Sequence, residues 1–320
     1  MRSRYITIFL AVLGIAISFS LGFFAKEWFF PSRNFSGELH EGAFRFINPL
    51  LECQNSENIT ELSPFEEILK DALNEAEHRE EITSASVYFR DLNNGPWLGI
   101  EEDAEFSPAS LLKVPVMIAY FKEAEENPAI LEKKLTFNPS KDANAIQFFS
   151  PREMLERGKE YSVSDLIARM IVYSDNNAKD LLLLNAEDFL EKTYRDLGIA
   201  VPGTRGIENF MSVREYARFF RILYNASYLD EYFSNKALEL LSRAEFREGL
   251  VGGVPSQIGV AHKFGERVIG NTKQLHDCGI VYHPKRPYLL CVMTRGSDFS
   301  SMGNAIRAIS EKTFSIVSSD

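Results

Sequence analysis

The stretch FSPASLLK, residues 106–113, places a serine and a lysine three positions apart at the start of a predicted helix. Residues at that spacing are neighbours on a helix, so the amine of Lys113 can reach the hydroxyl of Ser110. A neighbouring base makes a hydroxyl nucleophilic, and the free N–H groups at a helix start favour developing negative charge. Ser-x-x-Lys is a weak signal by itself, because roughly one match is expected by chance in a chain of this length.

A second motif, Ser174-Asp175-Asn176, lies in a turn between helices predicted at 164–173 and 177–184. Loops held by rigid elements often carry chemistry. The same residue types also cap helices, so the motif can serve as the cap of the helix that follows it. The catalytic and the capping interpretations are compatible.

The third motif, Lys263-Phe264-Gly265, ends a strand predicted at 258–264. A glycine there lets a ligand backbone approach closely. The alternative interpretation is an edge strand with a solvated lysine. We expect His262 to point to the opposite face of the strand from Lys263, because side chains alternate along a strand.

Hydrophobic periodicity predicts strands near both ends of the folded region and helices between them. A helix with a buried face follows Ser63, and the last helix covers about 301–316. Strands are predicted at 83–92, 97–101, 258–264, 278–282 and 288–294, and helices at 111–124, 164–173, 177–184, 186–197, 213–225 and 235–244. This order favours an α+β fold, in which an antiparallel sheet is flanked by terminal helices and a helical subdomain is inserted.

In their order and separations the three motifs resemble class A β-lactamases and penicillin-binding proteins, which carry Ser-x-x-Lys, Ser-Asp-Asn and Lys-Thr-Gly. The resemblance covers about residues 66–317. It implies the β-lactamase/transpeptidase-like fold, with an all-helical subdomain at about 110–250. It also implies a serine hydrolase, either β-lactamase-like or D-alanyl-D-alanine carboxypeptidase-like.

The resemblance also implies a role for each matching residue. Ser110 attacks the substrate carbonyl, Lys113 accepts its proton, and Ser174 passes a proton toward the leaving nitrogen. Asn176 binds the substrate amide and helps to hold Lys113. The other substrate-binding residues are Lys263, Gly265 and Glu266, where the backbone N–H of Glu266 completes an oxyanion hole with that of Ser110.

Two departures from the family pattern put the substrate and the second half of the reaction in doubt. Phe264 stands where the family usually has a hydroxyl residue, so one hydrogen bond to the substrate carboxylate is missing. The glutamate that activates the deacylating water in class A β-lactamases has no counterpart after Asn176. Glu208 lies nearby, but its neighbours do not match the pattern. We therefore expect slow deacylation of β-lactams.

The expected partner is a small-molecule β-lactam or a peptidoglycan stem peptide. Two alternatives are a non-hydrolytic sensor of β-lactams or peptidoglycan, and a membrane-tethered binding module that kept the fold. Intact catalytic residues count against the binding module. The few residues before Tyr5 leave no room for a cytoplasmic output of a sensor, unless a partner supplies one.

Composition excludes other classes of protein. A net charge of −10 without a basic stripe argues against nucleic-acid binding. The five histidines are scattered and no pair has metal-ligand spacing, so we expect no metal, and no cofactor is implied. A chain with 45% hydrophobic residues is globular rather than disordered.

The N-terminus carries an uncharged apolar run, residues 5–24, preceded by Arg2 and Arg4. Its length and flanking charges predict a single-pass anchor in the cell membrane with the catalytic domain extracytoplasmic. A cleaved signal peptide and a secreted protein are the alternative. We divide the chain into this segment at 1–26, a stalk at 27–62 and the catalytic domain at 63–320. An apolar patch at 44–51 either docks on that domain or lies near the membrane.

Cys278 and Cys291 flank a predicted hairpin turn, which would place them opposite each other on adjacent strands. A disulfide suits an exported domain. Two buried thiols are the alternative, because disulfides between paired strands need a narrow geometry.

Overall fold

The computed structural model describes residues 45–48, 63–93, 95–199 and 208–319. The helices within them are α1 (Ser63–His78), α2 (Lys113–Glu126), α3 (Val163–Val172), α4 (Asn176–Leu183), α5 (Glu187–Asp196), α6 (Val213–Tyr224), α7 (Glu231–Ser242) and α8 (Phe299–Ser319). The strands are β1 (Ser84–Asp91), β2 (Trp97–Ile100), β3 (Lys134–Thr136), β4 (Glu160–Ser162), β5 (Val260–Ile269), β6 (Thr272–Val281) and β7 (Tyr288–Gly296).

Five strands form an antiparallel sheet in the order β2-β1-β7-β6-β5. Its two faces bury two different cores, as β1 illustrates: Val87 and Phe89 pack with α1 and α8, whereas Tyr88 packs with the helical subdomain. Successive side chains of a strand point to opposite faces of the sheet, so adjacent residues of β1 enter different cores. The predicted α+β architecture is confirmed, and β5 is the edge strand that borders the site.

The structure differs from the sequence prediction in the β5–β6 hairpin and in the helical subdomain. β5 and β6 are longer than predicted, because they continue as a hairpin to Gly270, which turns with φ +59°. The part that was not predicted, residues 265–277, mixes polar and apolar side chains without the alternation that marked the inner part. The subdomain is not all-helical, since it also contains the short antiparallel pair β3 and β4.

Residues 45–48 pack against the catalytic domain. Ile47 is buried, the backbone N–H of Phe46 donates to Asn235 Oδ1 over 3.0 Å, and the Tyr282 hydroxyl donates to the carbonyl of Phe46 over 3.0 Å. Part of the predicted apolar patch at 44–51 therefore docks on the domain rather than belonging to a free stalk.

The predicted membrane segment, residues 1–26, lies outside the described residues. Within the described part of the chain, no helix combines the length and the apolar character needed to cross a bilayer.

Cys278 and Cys291 lie directly opposite each other in β6 and β7, with their Cα atoms 4.0 Å apart, and a disulfide joins them. The link lies in the interior of the sheet, one strand away from β5.

Candidate active site

Ser110 lies in a 3₁₀ turn, Ala109–Leu112, that leads directly into α2. Two buried side chains of β6 hold the approach to this turn. The backbone N–H of Ser107 donates to Gln274 Oε1 over 3.0 Å, and His276 Nε2 lies 3.0 Å from the Ser107 carbonyl oxygen. Burial lowers the pKa of His276 to about 4, so its ring is neutral and can present an N–H to that carbonyl. The nucleophile is thus positioned by the sheet beneath it.

Lys113 is the first residue of α2, and its amine is fully buried beside the nucleophile. Its Nζ lies 3.0 Å from Ser110 Oγ, 2.6 Å from the carbonyl oxygen of Ser174 and 3.1 Å from Ser174 Oγ. Burial, together with the charges of Lys263 and Lys179, lowers the pKa of Lys113 well below the usual lysine range. An amine in that environment can be neutral and can accept a proton from the serine.

Ser174 occupies the turn between α3 and α4 with φ +56°, a left-handed conformation that is uncommon for residues other than glycine. The next residue fixes this turn, because Asp175 caps α4 by accepting from the backbone N–H groups of Asn177 and Ala178. The Ser174 hydroxyl is thereby held between the two lysines, with Lys263 Nζ at 2.9 Å. The cap and the site use different residues of one motif.

Lys263 reaches Ser174 from the edge strand β5. Its ammonium donates to Ser174 Oγ and, over 2.9 Å, to the carbonyl of Phe264, and it lies 4.2 Å from the centroid of the Phe264 ring. That ring stacks on Phe246 with centroids 4.2 Å apart. Burial lowers the pKa of Lys263 to about 7, against the opposing effect of the nearby Asp277 and Glu266 charges. The cation is therefore covered on several sides.

Gly265 brings β5 against the nucleophile turn. A Cβ at this position would lie 3.0 Å from the carbonyl oxygen of Pro108 and 3.2 Å from the backbone nitrogen of Leu111. Contacts that short are unfavourable, so glycine is the residue that permits this approach. His262 makes a buried hydrogen bond of 2.8 Å with Asp277, away from the serine.

Asn176, the last residue of the second motif, is held by a loop that the sequence did not point to. Its backbone N–H donates to Asn144 Oδ1 over 2.7 Å, and its side-chain amide donates to the carbonyl of Ala143 over 3.2 Å. Asn144 also donates to Asp175 over 2.9 Å. Asn176 is thus tied to this loop, whereas the predicted task of holding Lys113 falls to Ser174.

Glu266 contributes its side chain as well as its backbone. Its Oε1 accepts from the backbone N–H groups of Phe148 and Phe149 over 3.0 and 3.1 Å, which ties the 143–149 loop to β5. Burial raises the pKa of Glu266, opposed by these two hydrogen bonds. Sequence reasoning assigned only the backbone of Glu266 to the site, and one sequence gives no signal that joins the loop to the strand.

These groups border a cavity of about 630 Å³. Ser110, Lys113, Asn176 and Glu266 are on its wall, whereas Ser174 and Lys263 lie fully buried behind it. Other charged side chains on the wall are those of Lys179, Glu208 and Arg267. The site therefore brings together the residues to which the family resemblance assigns the nucleophile, the base and the proton relay of acyl transfer.

Comparison with known proteins agrees with this arrangement. The family model described as Beta-lactamase enzyme family matches residues 65–317. The chain is 28% identical over 124 residues to Beta-lactamase L2 of Stenotrophomonas maltophilia, a match that spans 38% of this chain and 40% of that protein.

Similar solved structures cover most of the chain. A variant of PBP-A, solved as an acyl-enzyme complex with penicillin G, has a TM-score of 0.66 at 22% identity and covers 80% of this chain and 97% of its own. A class A β-lactamase from Mycobacterium abscessus has a TM-score of 0.67 at 20% identity, and the match covers 78% of this chain and 99% of that protein. At these identities the likeness concerns the fold.

The fold and the serine-lysine site define a serine hydrolase of the β-lactamase/transpeptidase type. More particularly, this chain belongs to the β-lactamase enzyme family, whose model covers nearly all of the catalytic domain.

Proposed function

We propose that the protein is an exported active-site-serine acyl hydrolase that forms an acyl-enzyme on Ser110 with a β-lactam or with an acyl-D-alanyl peptide of the cell wall. The observation that carries this proposal is the 3.0 Å contact between Ser110 Oγ and the buried amine of Lys113. Burial and the neighbouring cations Lys263 and Lys179 lower the pKa of Lys113, which favours the neutral amine that can act as a base.

In the acylation step, Ser110 Oγ forms a bond to the substrate carbonyl carbon while its proton moves to Lys113. The bond from that carbon to the leaving nitrogen then breaks, and Ser174 donates its proton to the nitrogen. Lys263, 2.9 Å from Ser174 Oγ, can replenish that proton. The backbone N–H groups of Ser110 and Glu266 stabilise the oxyanion in this scheme.

Deacylation of β-lactams is proposed to be slow. No Asp or Glu occurs in the sequence from 200 to 207, directly before Glu208. Glu208 itself forms an ion pair with Arg267 over 3.1 Å and is half exposed. The carboxylate oxygen that binds Arg267 is engaged by that partner and is not free to orient a water beside Ser110.

The location of the enzyme is proposed from the sequence. An anchor at residues 1–26 would hold the catalytic domain on the outer side of the cell membrane, and cleavage within that segment would release it. The Cys278–Cys291 disulfide supports an oxidising compartment.

Incubation of the full chain with benzylpenicillin and with a chromogenic cephalosporin tests the proposal. Intact-protein mass spectrometry should detect a covalent adduct that maps to Ser110 and disappears in Ser110→Ala, with little turnover of the cephalosporin. Rapid turnover would contradict slow deacylation. If no adduct forms and Ser110→Ala behaves as the wild type does, the protein is a binding module instead.

A further inference from the structure

The proposed substrates share a carboxylate close to the reacting bond. In a β-lactam, as in a D-alanyl-D-alanine peptide, the carbon attached to the leaving nitrogen bears this carboxylate. Ser174 is the group that protonates this nitrogen in the proposed step, so the carboxylate must come to rest within a few ångströms of Ser174. The family resemblance assigns its recognition to the cation of Lys263.

That cation is covered in this protein. The Lys263 side chain is 1% exposed, and its ammonium donates to Ser174 Oγ and to the carbonyl of Phe264. The Phe264 ring covers it further at 4.2 Å and is itself packed against Phe149 and Phe246. A hydroxyl at position 264 would offer a hydrogen bond to a carboxylate, whereas the phenyl ring offers none.

A carboxylate borders the cavity close to the nucleophile turn. Glu266 follows Gly265 on β5 and lines the same wall as Ser110. Its Oε1 takes two neutral amide donors, and its Oε2 has no hydrogen-bond partner among the described residues. Burial raises the pKa of Glu266, and its two amide hydrogen bonds and the charges of Lys263 and Lys113 oppose that rise.

The nearby cations offset Glu266 only in part. The charges of Lys263 and Lys113 oppose the effect of burial, and the other two cations on the wall each bind a different carboxylate. Arg267 binds Glu208 over 3.1 Å, and Lys179 binds Asp180 over 2.7 Å. A substrate carboxylate entering the cavity would therefore meet Glu266 at short range in a partly desolvated site, where repulsion between like charges is strong.

We propose that Glu266 selects against a carboxylate beside the scissile bond, so that the preferred substrate carries an uncharged amide or ester at that position. An amide there is what a peptide has when its chain continues past the cleaved bond or ends in a carboxamide. Such a group can also donate an N–H to Glu266. This inference rests on the acyl-enzyme chemistry proposed above and specifies which acyl donors that chemistry accepts.

The test compares benzylpenicillin with its methyl ester on the full chain, because the two differ in the charge of this one group. Rate constants for formation of the Ser110 adduct are measured by intact-protein mass spectrometry. Glu266→Gln keeps an oxygen for the two loop N–H groups and removes the charge. We expect it to speed acylation by the free acid about tenfold or more and to change acylation by the ester less than about threefold.

Two further variants separate charge at the site from other effects. Glu191→Gln removes the same charge from an exposed ion pair with Arg195 on α5, and it should leave the acid-to-ester ratio unchanged. Glu266→Ala removes the charge and the loop contact together, and it should raise the same ratio. Thermal unfolding of each variant identifies any loss of folding.

The outcomes distinguish this inference from the function it rests on. If the ester and the free acid acylate Ser110 with the same ratio in wild type, Glu266→Gln and Glu266→Ala, the inference is wrong and the acyl-enzyme proposal stands. If neither compound forms an adduct with any of the proteins, both proposals are overturned.

Discussion

Two walls of the cavity differ in how closely they follow the family pattern. The nucleophile wall, which we define as Ser110 and Lys113 with Ser174 buried behind them, has matching residue types, and each polar side chain has a partner. The β5 wall, which we define as Glu266 with the buried Phe264 and Gly265 that precede it on the strand, keeps the glycine but has an aromatic ring and a carboxylate on either side of it.

In the proposed reaction, forming the acyl-enzyme and choosing the substrate depend on different residues of this fold. The nucleophile wall depends on atoms within about 3 Å of one another, so few substitutions would preserve its chemistry. The β5 wall would meet the part of the substrate that does not react, so its side chains could change without loss of the reaction.

The largest effect should come from the nucleophile wall. Lys113→Met removes the base and should slow formation of the Ser110 adduct about 10³-fold, in the range typical of a lost general base. Lys122→Met, on the same helix α2 but paired with Glu125, is the control and should acylate normally. A loss of less than tenfold in Lys113→Met would show that another group accepts the proton.

The second prediction concerns how the acylation rate depends on pH, since a charge on β5, that of Lys263, affects Lys113 in the nucleophile wall. Acylation needs neutral Lys113, so its rate should rise with pH as Lys113 loses its proton. The charge of Lys263 lowers the pKa of Lys113, and Lys263→Met removes that charge. The pKa of Lys113 should then rise, and the rising limb of the rate should move to higher pH, together with a loss of about 10²-fold in rate.

Lys179→Met provides a graded comparison for this shift, because Lys179 lowers the pKa of Lys113 less than Lys263 does. In Lys179→Met, the rising limb of the acylation rate should also move to higher pH, but by a smaller amount than in Lys263→Met. Adduct formation measured from about pH 5 to 10 gives all three profiles. The coupling between Lys263 and Lys113 is contradicted if the rising limb in Lys263→Met stays in place or moves to lower pH.

A smaller effect is expected from the loop that holds Asn176. Asn144→Ala removes the hydrogen bonds to Asn176 N and Asp175 Oδ1, and should slow acylation about tenfold while lowering the free energy of unfolding by about 2 kcal/mol. Urea unfolding and adduct kinetics measure the two changes. Asn185→Ala removes one hydrogen bond, from the side-chain amide to the carbonyl of Leu181 at the end of α4. It should lower stability and leave the acylation rate unchanged.

The smallest change in acylation should come from the β5 wall. Phe264→Thr restores a hydroxyl and uncovers Lys263, so acylation by benzylpenicillin should rise about threefold, while Glu266 still repels its carboxylate. Loss of the ring should lower the free energy of unfolding by about 3 kcal/mol. Phe233→Thr, in the core against Phe121, is the control: it should lower the free energy of unfolding without speeding acylation. Equal acylation rates in Phe264→Thr and Phe233→Thr would rule out a role for the hydroxyl at position 264.

The sequence predicts those parts of this molecule that have a local signature. Helical spacing brings Lys113 to Ser110, alternation at 259–262 marks the inner part of β5, and a short apolar run at 288–293 marks β7. The sheet architecture follows from that order of elements.

The missed parts depend on contacts between distant segments. Asn144 binds Asn176 across 32 residues, and Glu266 binds Phe149 across 117 residues. The 143–149 loop has no periodicity that would link it to either partner. The outer half of the β5–β6 hairpin was missed for a related reason, since its polar and apolar residues do not alternate, and the buried Gln274 and His276 are polar.

The left-handed backbone of Ser174 has a consequence for how this protein would change if catalysis were no longer needed. Replacing Ser174 by alanine or by glycine removes the same hydroxyl from both lysines, but only glycine relaxes the φ of +56°. The glycine variant should therefore be the more stable of the two by about 1 kcal/mol. If the hydroxyl were not needed, a change to glycine would stabilise the turn, so the proposed chemistry and the backbone favour different residues at this position.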